Sequence, residues 1–102
     1  MKIYLANQDG TTLYKIGVTK KEPKIRLLEL QTGNPFPLVL IESFETNFNY
    51  KLESALHAYY STNNVQSEWF ELSYEQVDAF ITQCNRLEDI FKVLKSFNNP
   101  FI

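Results

Sequence analysis

The sequence predicts an α/β (α+β) fold: a small, mainly antiparallel sheet flanked by helices, with a helical segment added after it. Three observations predict this. Residues 2 to 19 are rich in β-formers on either side of an Asp-Gly pair. Two stretches with helical spacing follow, separated by a third β-rich run. From Ser73 onward the apolar residues recur at helical intervals.

"KIYLAN" alternates and predicts a strand over residues 2–7. "QDGTT" is a turn, with Asp9-Gly10 as a strong hairpin signal, and "LYKIGVT" returns. If the turn spans residues 8–11, paired positions sum to about 19, and Tyr4 faces Lys15 across the hairpin. Tyr14 then points to the other face and packs against a helix, while Gly17 leaves open space beside Lys15.

Thr19, or a residue just after it, opens the way to a helix over about residues 22–31. Pro23 suits its first turn and Ile25, Leu27, Leu28 and Leu30 form its apolar side. Gly33, Pro35 and Pro37 end it. "LVLIESFET" is a third strand, and its apolar start suggests cover on both faces. Residues 47–64 read as a second helix, capped by Asn47 or Asn49, with Leu52, Leu56 and Tyr59 or Tyr60 buried and Asn63-Asn64 closing it. "EWFEL" is a short strand or docking piece around Trp69 and Phe70. Ser73 caps the last helical stretch, whose Val77, Phe80, Ile81, Leu87, Ile90, Phe91 and Leu94 face the core, with a break near Asn85. Residues 98–102 read as a frayed tail.

The chain has 102 residues, enough for one domain, and 44% hydrophobic content argues against disorder. No apolar run suits a membrane span, and no signal-peptide pattern is present, so a cytoplasmic protein is expected. The lone Cys84 excludes an internal disulfide, and no Cys/His spacing suits zinc. The net charge of −2 is unevenly spread. Residues 1–36 hold six basic against three acidic residues, and the remainder holds four against nine. The basic face at Lys15, Lys20, Lys21, Lys24 and Arg26 could meet nucleic-acid phosphates.

Several positions invite a chemical reading beside a plainer one. Lys15 is a snorkelling strand lysine, or a cation beside Tyr4. Arg26 is a solvated or Glu22/Glu29-paired arginine, or a forked phosphate ligand near a helix N-terminus. Glu53 and His57 are i, i+4 and share a helix face. They form a solvent-facing pair, or Glu53 binds Mg²⁺ or Mn²⁺ through its carboxylate. Glu68 and Glu71 are solvated, or pair with nearby basic groups.

In order, "IYLAN", "LYKIGVTK", "PKIRLLELQTGNPFPL", "LESALHAYY" and "SEWFEL" resemble the GIY-YIG nuclease superfamily, in the branch described from phage open reading frames and meiotically up-regulated proteins. The resemblance covers residues 3–72. It implies a nuclease domain over residues 1–72 built on a three-stranded antiparallel sheet; the last helices fall outside it, and residues 73–97 are expected to pack on the same domain as C-terminal helices. It also implies cleavage of DNA phosphodiesters with one divalent ion, Mg²⁺ or Mn²⁺. Carried over by position, Tyr4 matches the first-motif tyrosine that helps activate water. Lys15-Ile16-Gly17 matches the second half, with lysine where tyrosine is usual; Tyr14 falls one position early. Arg26 matches the phosphate-stabilising arginine, Glu53 the metal-binding glutamate and His57 a histidine typical of this branch. Tyr14, Gly17 and Thr19 are structural members of the motif, and Lys20, Lys21 and Lys24 are expected to contact DNA. A tyrosine with a pKa near ~10 is a poor base unless a cation such as Lys15 or the metal lowers that value. The chain is short for much recognition surface, so a homodimer is one route to specificity. The alternatives are a catalytically inactive nucleic-acid-binding module and a protein-interaction adaptor.

Overall fold

The hairpin is the centre of the structure. In the computed structural model, which describes residues 1–97, strands β1 (Lys2–Gln8) and β2 (Leu13–Thr19) are joined by the turn at residues 9–12. Helix α1 (Pro23–Gln31), strand β3 (Leu38–Glu45) and helix α2 (Asn49–Tyr59) follow. A 3-10 turn (Ser61–Asn63) then leads to β4 (Asn64–Gln66) and β5 (Trp69–Glu71), and α3 (Tyr74–Asp78) and α4 (Phe80–Ser96) complete the order. The sheet has five antiparallel strands in the order β3-β1-β2-β5-β4, so the expected three-stranded core carries two short additions. The expected tail lies outside the described residues.

The hairpin register differs from the expected one. Tyr4 pairs with Gly17, and Ala6 pairs with Lys15. The Asp-Gly signal alone suggests a two-residue loop, but side chains lengthen it. Asn7 Nδ2 donates to the carbonyls of Thr11 and Leu13, and Thr11 Oγ1 donates to Gln8 O. Gly10 takes φ 78° within this loop, a conformation suited to glycine. The pairing moves by two in its sum, so side-chain parity is kept. Tyr4, Lys15 and Gly17 share one face, and Tyr14 lies on the other.

On the Tyr14 face, Ile3, Leu5, Ile16, Leu52, Leu56, Tyr60, Phe70, Phe80 and Cys84 form the main core beneath α2 and α4. On the opposite face Tyr4, Ala6 and Leu27 form a small cluster, edged by Leu30, Leu38 and Leu40. Within α1, Pro23 and Leu27 are buried while Ile25 and Leu28 are exposed, so its apolar side is narrower than the spacing predicts.

β3 is an edge strand, contrary to the cover expected on both faces; Val39 and Ile41 are exposed. A bulge explains its non-alternating sequence. Leu5 pairs with Glu42 and Ala6 with Leu40, which leaves Ile41 extra. The extra residue switches faces, so Leu38 and Leu40 meet α1 while Phe44 joins the main core.

Helix α2 begins without a side-chain cap at Phe48; neither Asn47 nor Asn49 caps it. Instead, Thr46 Oγ1 accepts from Phe48 N and donates to the buried Glu88 of α4, tying the strand end, α2 and α4 together. Of the two tyrosines, Tyr60 is buried and Tyr59 is exposed. Ser73 caps α3 through a capping box with Gln76. The helix break falls at Ala79, not near Asn85, whose amide bonds back to Ile81 O within a continuous α4. Ile90 is exposed, whereas Val77, Ile81, Leu87 and Phe91 pack on the main core. Among the described residues no helix is long and apolar enough to cross a membrane.

Candidate functional site

β5 covers only part of β2. It pairs with Leu13, Tyr14 and Lys15, and the last such contact is Ile16 N donating to Glu68 O at 3.1 Å. Beyond that point the outer edge of β2 would be bare. Helix α2 closes it with side chains. His57 Nε2 lies 2.9 Å from Ile16 O, and the Glu53 carboxylate faces the Val18 backbone N–H. The spacing explains the fit: four helical residues rise about 6 Å, and two strand residues rise about 6.6 Å. An i, i+4 pair on the helix therefore matches alternate groups on the strand edge. The Glu53–His57 pair is not a solvent-facing contact. A carbonyl can only accept, so His57 Nε2 carries the proton in this contact. The ring also tilts against Phe70, with centroids 5.1 Å apart.

Tyr4 rises from β1 over Gly17. A Cβ built on Gly17 would lie 2.4 Å from Tyr4 Cζ and Oη. The space expected to stand open beside Lys15 is thus filled by the tyrosine ring. Tyr4 is only 1% exposed, and burial is the main cause that pushes its hydroxyl up to about 12. The charges of Glu68 and, more weakly, Glu53 act in the same direction, while the Arg26 guanidinium beside the hydroxyl opposes them. The cation that acts on Tyr4 is therefore Arg26, from the second turn of α1, and it does not bring the phenol below its ordinary value. Arg26 is part-exposed and also lies 3.6 Å from Glu29.

Lys15 Nζ is 2.9 Å from Glu68 Oε2 and 5.6 Å from the Trp69 ring centroid. Glu68 is the residue that sequence reasoning passed over as a site member. Its one signal was its place in "SEWFEL", the segment that pairs back onto β2. Glu53 is held above the usual carboxylate range by burial first and then by the charge of Glu68; His57, Lys15 and the Val18 N–H act the other way. The Glu53 carboxylate offers oxygen ligands of the kind a hard divalent cation takes, and such an ion would offset the repulsion from Glu68. Among the described residues no group of three or more His, Cys, Asp or Glu is gathered to hold a metal. The rest of an octahedral shell would come from water and phosphate, as Mg²⁺ commonly accepts.

Tyr4, Lys15, Arg26, Glu53 and His57 are thus drawn together, with Glu68 added. Tyr14 is buried in the main core, away from this face. Thr19 is buried at the end of β2, where its hydroxyl accepts from Lys21 N and shapes the turn into α1. The basic face is partly neutralised: Lys2 pairs with Glu22, and Lys21 with Glu29. Among the described residues Lys20 and Lys24 form no ion pair.

No curated protein and no solved structure matches the chain. The T5orf172 domain, however, matches residues 1–85, from the first strand into α4, and the chain belongs to this domain family.

Proposed function

We propose that the chain hydrolyses phosphodiester bonds in DNA as a metal-dependent nuclease of the GIY-YIG type. One observation carries this reading. A tyrosine, a lysine, an arginine and two carboxylates, drawn from β1, β2, α1, α2 and the segment before β5, meet at one corner of the sheet. Membership of the T5orf172 domain family is compatible with a nuclease-like or DNA-interacting role.

In this reading Arg26 donates forked hydrogen bonds to phosphate oxygens and offsets the charge that develops there. Glu53 would hold Mg²⁺ or Mn²⁺; when bound, the ion would supply charge neutralisation at phosphate and a more acidic water. Tyr4 stays protonated at neutral pH and orients water or phosphate oxygen by donating a hydrogen bond. Lys15 brings a second cation to the same rim. His57 acts through the strand edge it fastens, not as a free base at Nε2. Lys20 and Lys24 contact the DNA backbone.

Glu53→Gln tests the assignment, because the amide keeps an acceptor for the Val18 N–H and drops the charge. The expected outcome is loss of Mg²⁺- or Mn²⁺-dependent plasmid cleavage with an unchanged circular dichroism spectrum. Cleavage at the wild-type rate would overturn the metal assignment.

A second reading is a non-catalytic nucleic-acid-binding module on the same fold. The phenol of Tyr4, pushed up to about 12, and the lysine that stands where the second motif tyrosine is usual favour it. Gel-shift titrations at several salt concentrations, run beside the cleavage assay, separate the two. Salt-sensitive binding without cleavage in either metal selects the module.

A further inference from the structure

We propose that Glu68 is a positioning residue of this site: its carboxylate pins the Lys15 ammonium at the rim shared by Tyr4, Arg26 and Glu53. The inference deepens the nuclease reading and rests on it.

Most exposed strand ion pairs are weak and mobile. This pair is built differently. The Lys15 side chain is only 14% exposed, and that of Glu68 is 37% exposed. The backbone on both sides is locked, since Ile16 N donates to Glu68 O and Trp69 pairs directly with Lys15. Carboxylate and indole then bracket the ammonium at 2.9 Å and 5.6 Å. A lysine stem has several rotatable bonds, and the bracket removes that freedom before any substrate arrives. The same carboxylate acts electrostatically on both neighbours of Lys15: it raises the Tyr4 hydroxyl and the Glu53 carboxyl. Because the β5 register rests on the backbone of Glu68, removing the side-chain charge leaves the strand in place.

The test is a double-substitution cycle on the full chain: wild type, Glu68→Gln, Lys15→Met and both together. Plasmid cleavage is followed with Mg²⁺ or Mn²⁺, and kcat is separated from the KM for DNA. Glu68→Gln is expected to lower kcat by about 10- to 100-fold through loss of positioning, with a smaller change in KM. In the Lys15→Met background the same substitution is expected to change kcat no further, because Glu68 acts through Lys15. An equal loss in both backgrounds would overturn the proposal. So would an unchanged kcat for Glu68→Gln.

A second readout needs no activity. In ¹⁵N-detected spectra the Lys15 ζ-ammonium is expected to exchange slowly in the wild type and rapidly in Glu68→Gln. If the wild type cleaves nothing, the nuclease reading falls, and this spectrum still decides the clamp: identical Lys15 exchange in the two proteins would remove it.

Discussion

The two faces of the sheet were built to different ends. One is sealed: α2 and α4 cover Ile3, Leu5, Ile16 and Phe70 with Leu52, Leu56, Phe80 and Cys84, all fully or almost fully buried. The other is half-dressed. Helix α1 covers Tyr4 and Ala6 with Leu27 and leaves the end near Lys15 to charged groups. Apolar burial stabilises without direction, whereas placing charges requires unburied surface and fixed geometry. The contrast teaches where to look for stability and where to look for chemistry in so short a chain.

The sealed face is broken most severely at Phe80, which is fully buried and stacks on Tyr60 with centroids 6.3 Å apart. Phe80→Ala is expected to cost about 3–5 kcal/mol in urea denaturation. A loss below about 1 kcal/mol would mean that α4 is not integral to the core.

The next effect lies where the two faces share one strand. Gly17→Ala sets a methyl against the ring of Tyr4 and is expected to cost about 1–3 kcal/mol by overpacking. It should also slow cleavage by displacing Tyr4. In a Tyr4→Leu background the stability penalty should shrink, and an unchanged penalty would place the strain elsewhere.

Alkaline unfolding distinguishes the faces by titration. Burial raises Tyr4 and Tyr60 to about 12, and Cys84 to about 12. A group raised in the folded state contributes its stability below the unfolded value, and that contribution is lost as pH rises through the folded one. Stability is thus expected to fall from about pH 9 for the thiol and from about pH 10 for the phenols. Tyr4→Phe and Tyr60→Phe should each flatten the decline between pH 10 and pH 12. The Tyr60 hydroxyl is buried with no hydrogen-bond partner among the described residues, so Tyr60→Phe should cost nothing at pH 7. A decline as steep in both variants as in the wild type would refute the assignment.

The smallest effect has the opposite sign. The carboxyl of Glu53 is raised in the folded state, so its favourable contribution is lost once pH climbs past that raised value. At neutral pH its charge is a net burden on the fold. Glu53→Gln should stabilise the protein by less than about 1 kcal/mol, given its partial exposure to solvent, while it abolishes cleavage. Destabilisation at pH 7 would contradict this sign.

Much of this division was legible in the sequence. Period-two alternation put Tyr4, Lys15 and Gly17 on one face and Tyr14 on the other, and that result survived a wrong register because the error was an even number of residues. The register itself was not legible. It depends on Asn7 and Thr11 bonding to turn carbonyls, contacts that the Asp-Gly signal does not encode. The bulge at Ile41 made an edge strand read as a buried one. Glu68 escaped notice as a site member because its meeting with Lys15 depends on the long-range pairing of a three-residue strand.

The hook of α2 onto the bare edge of β2 bears on how inactive variants are interpreted. An unpaired strand edge invites another chain to add to it. Side chains of Glu53 and His57 blunt that edge from Ile16 to Val18. Truncating Glu53 to alanine therefore removes the carboxylate proposed to hold the metal and also unlatches a stretch of backbone to which a neighbouring molecule can stitch itself. Aggregation in such a variant would report on the latch, and loss of cleavage in the soluble glutamine variant would report on the chemistry.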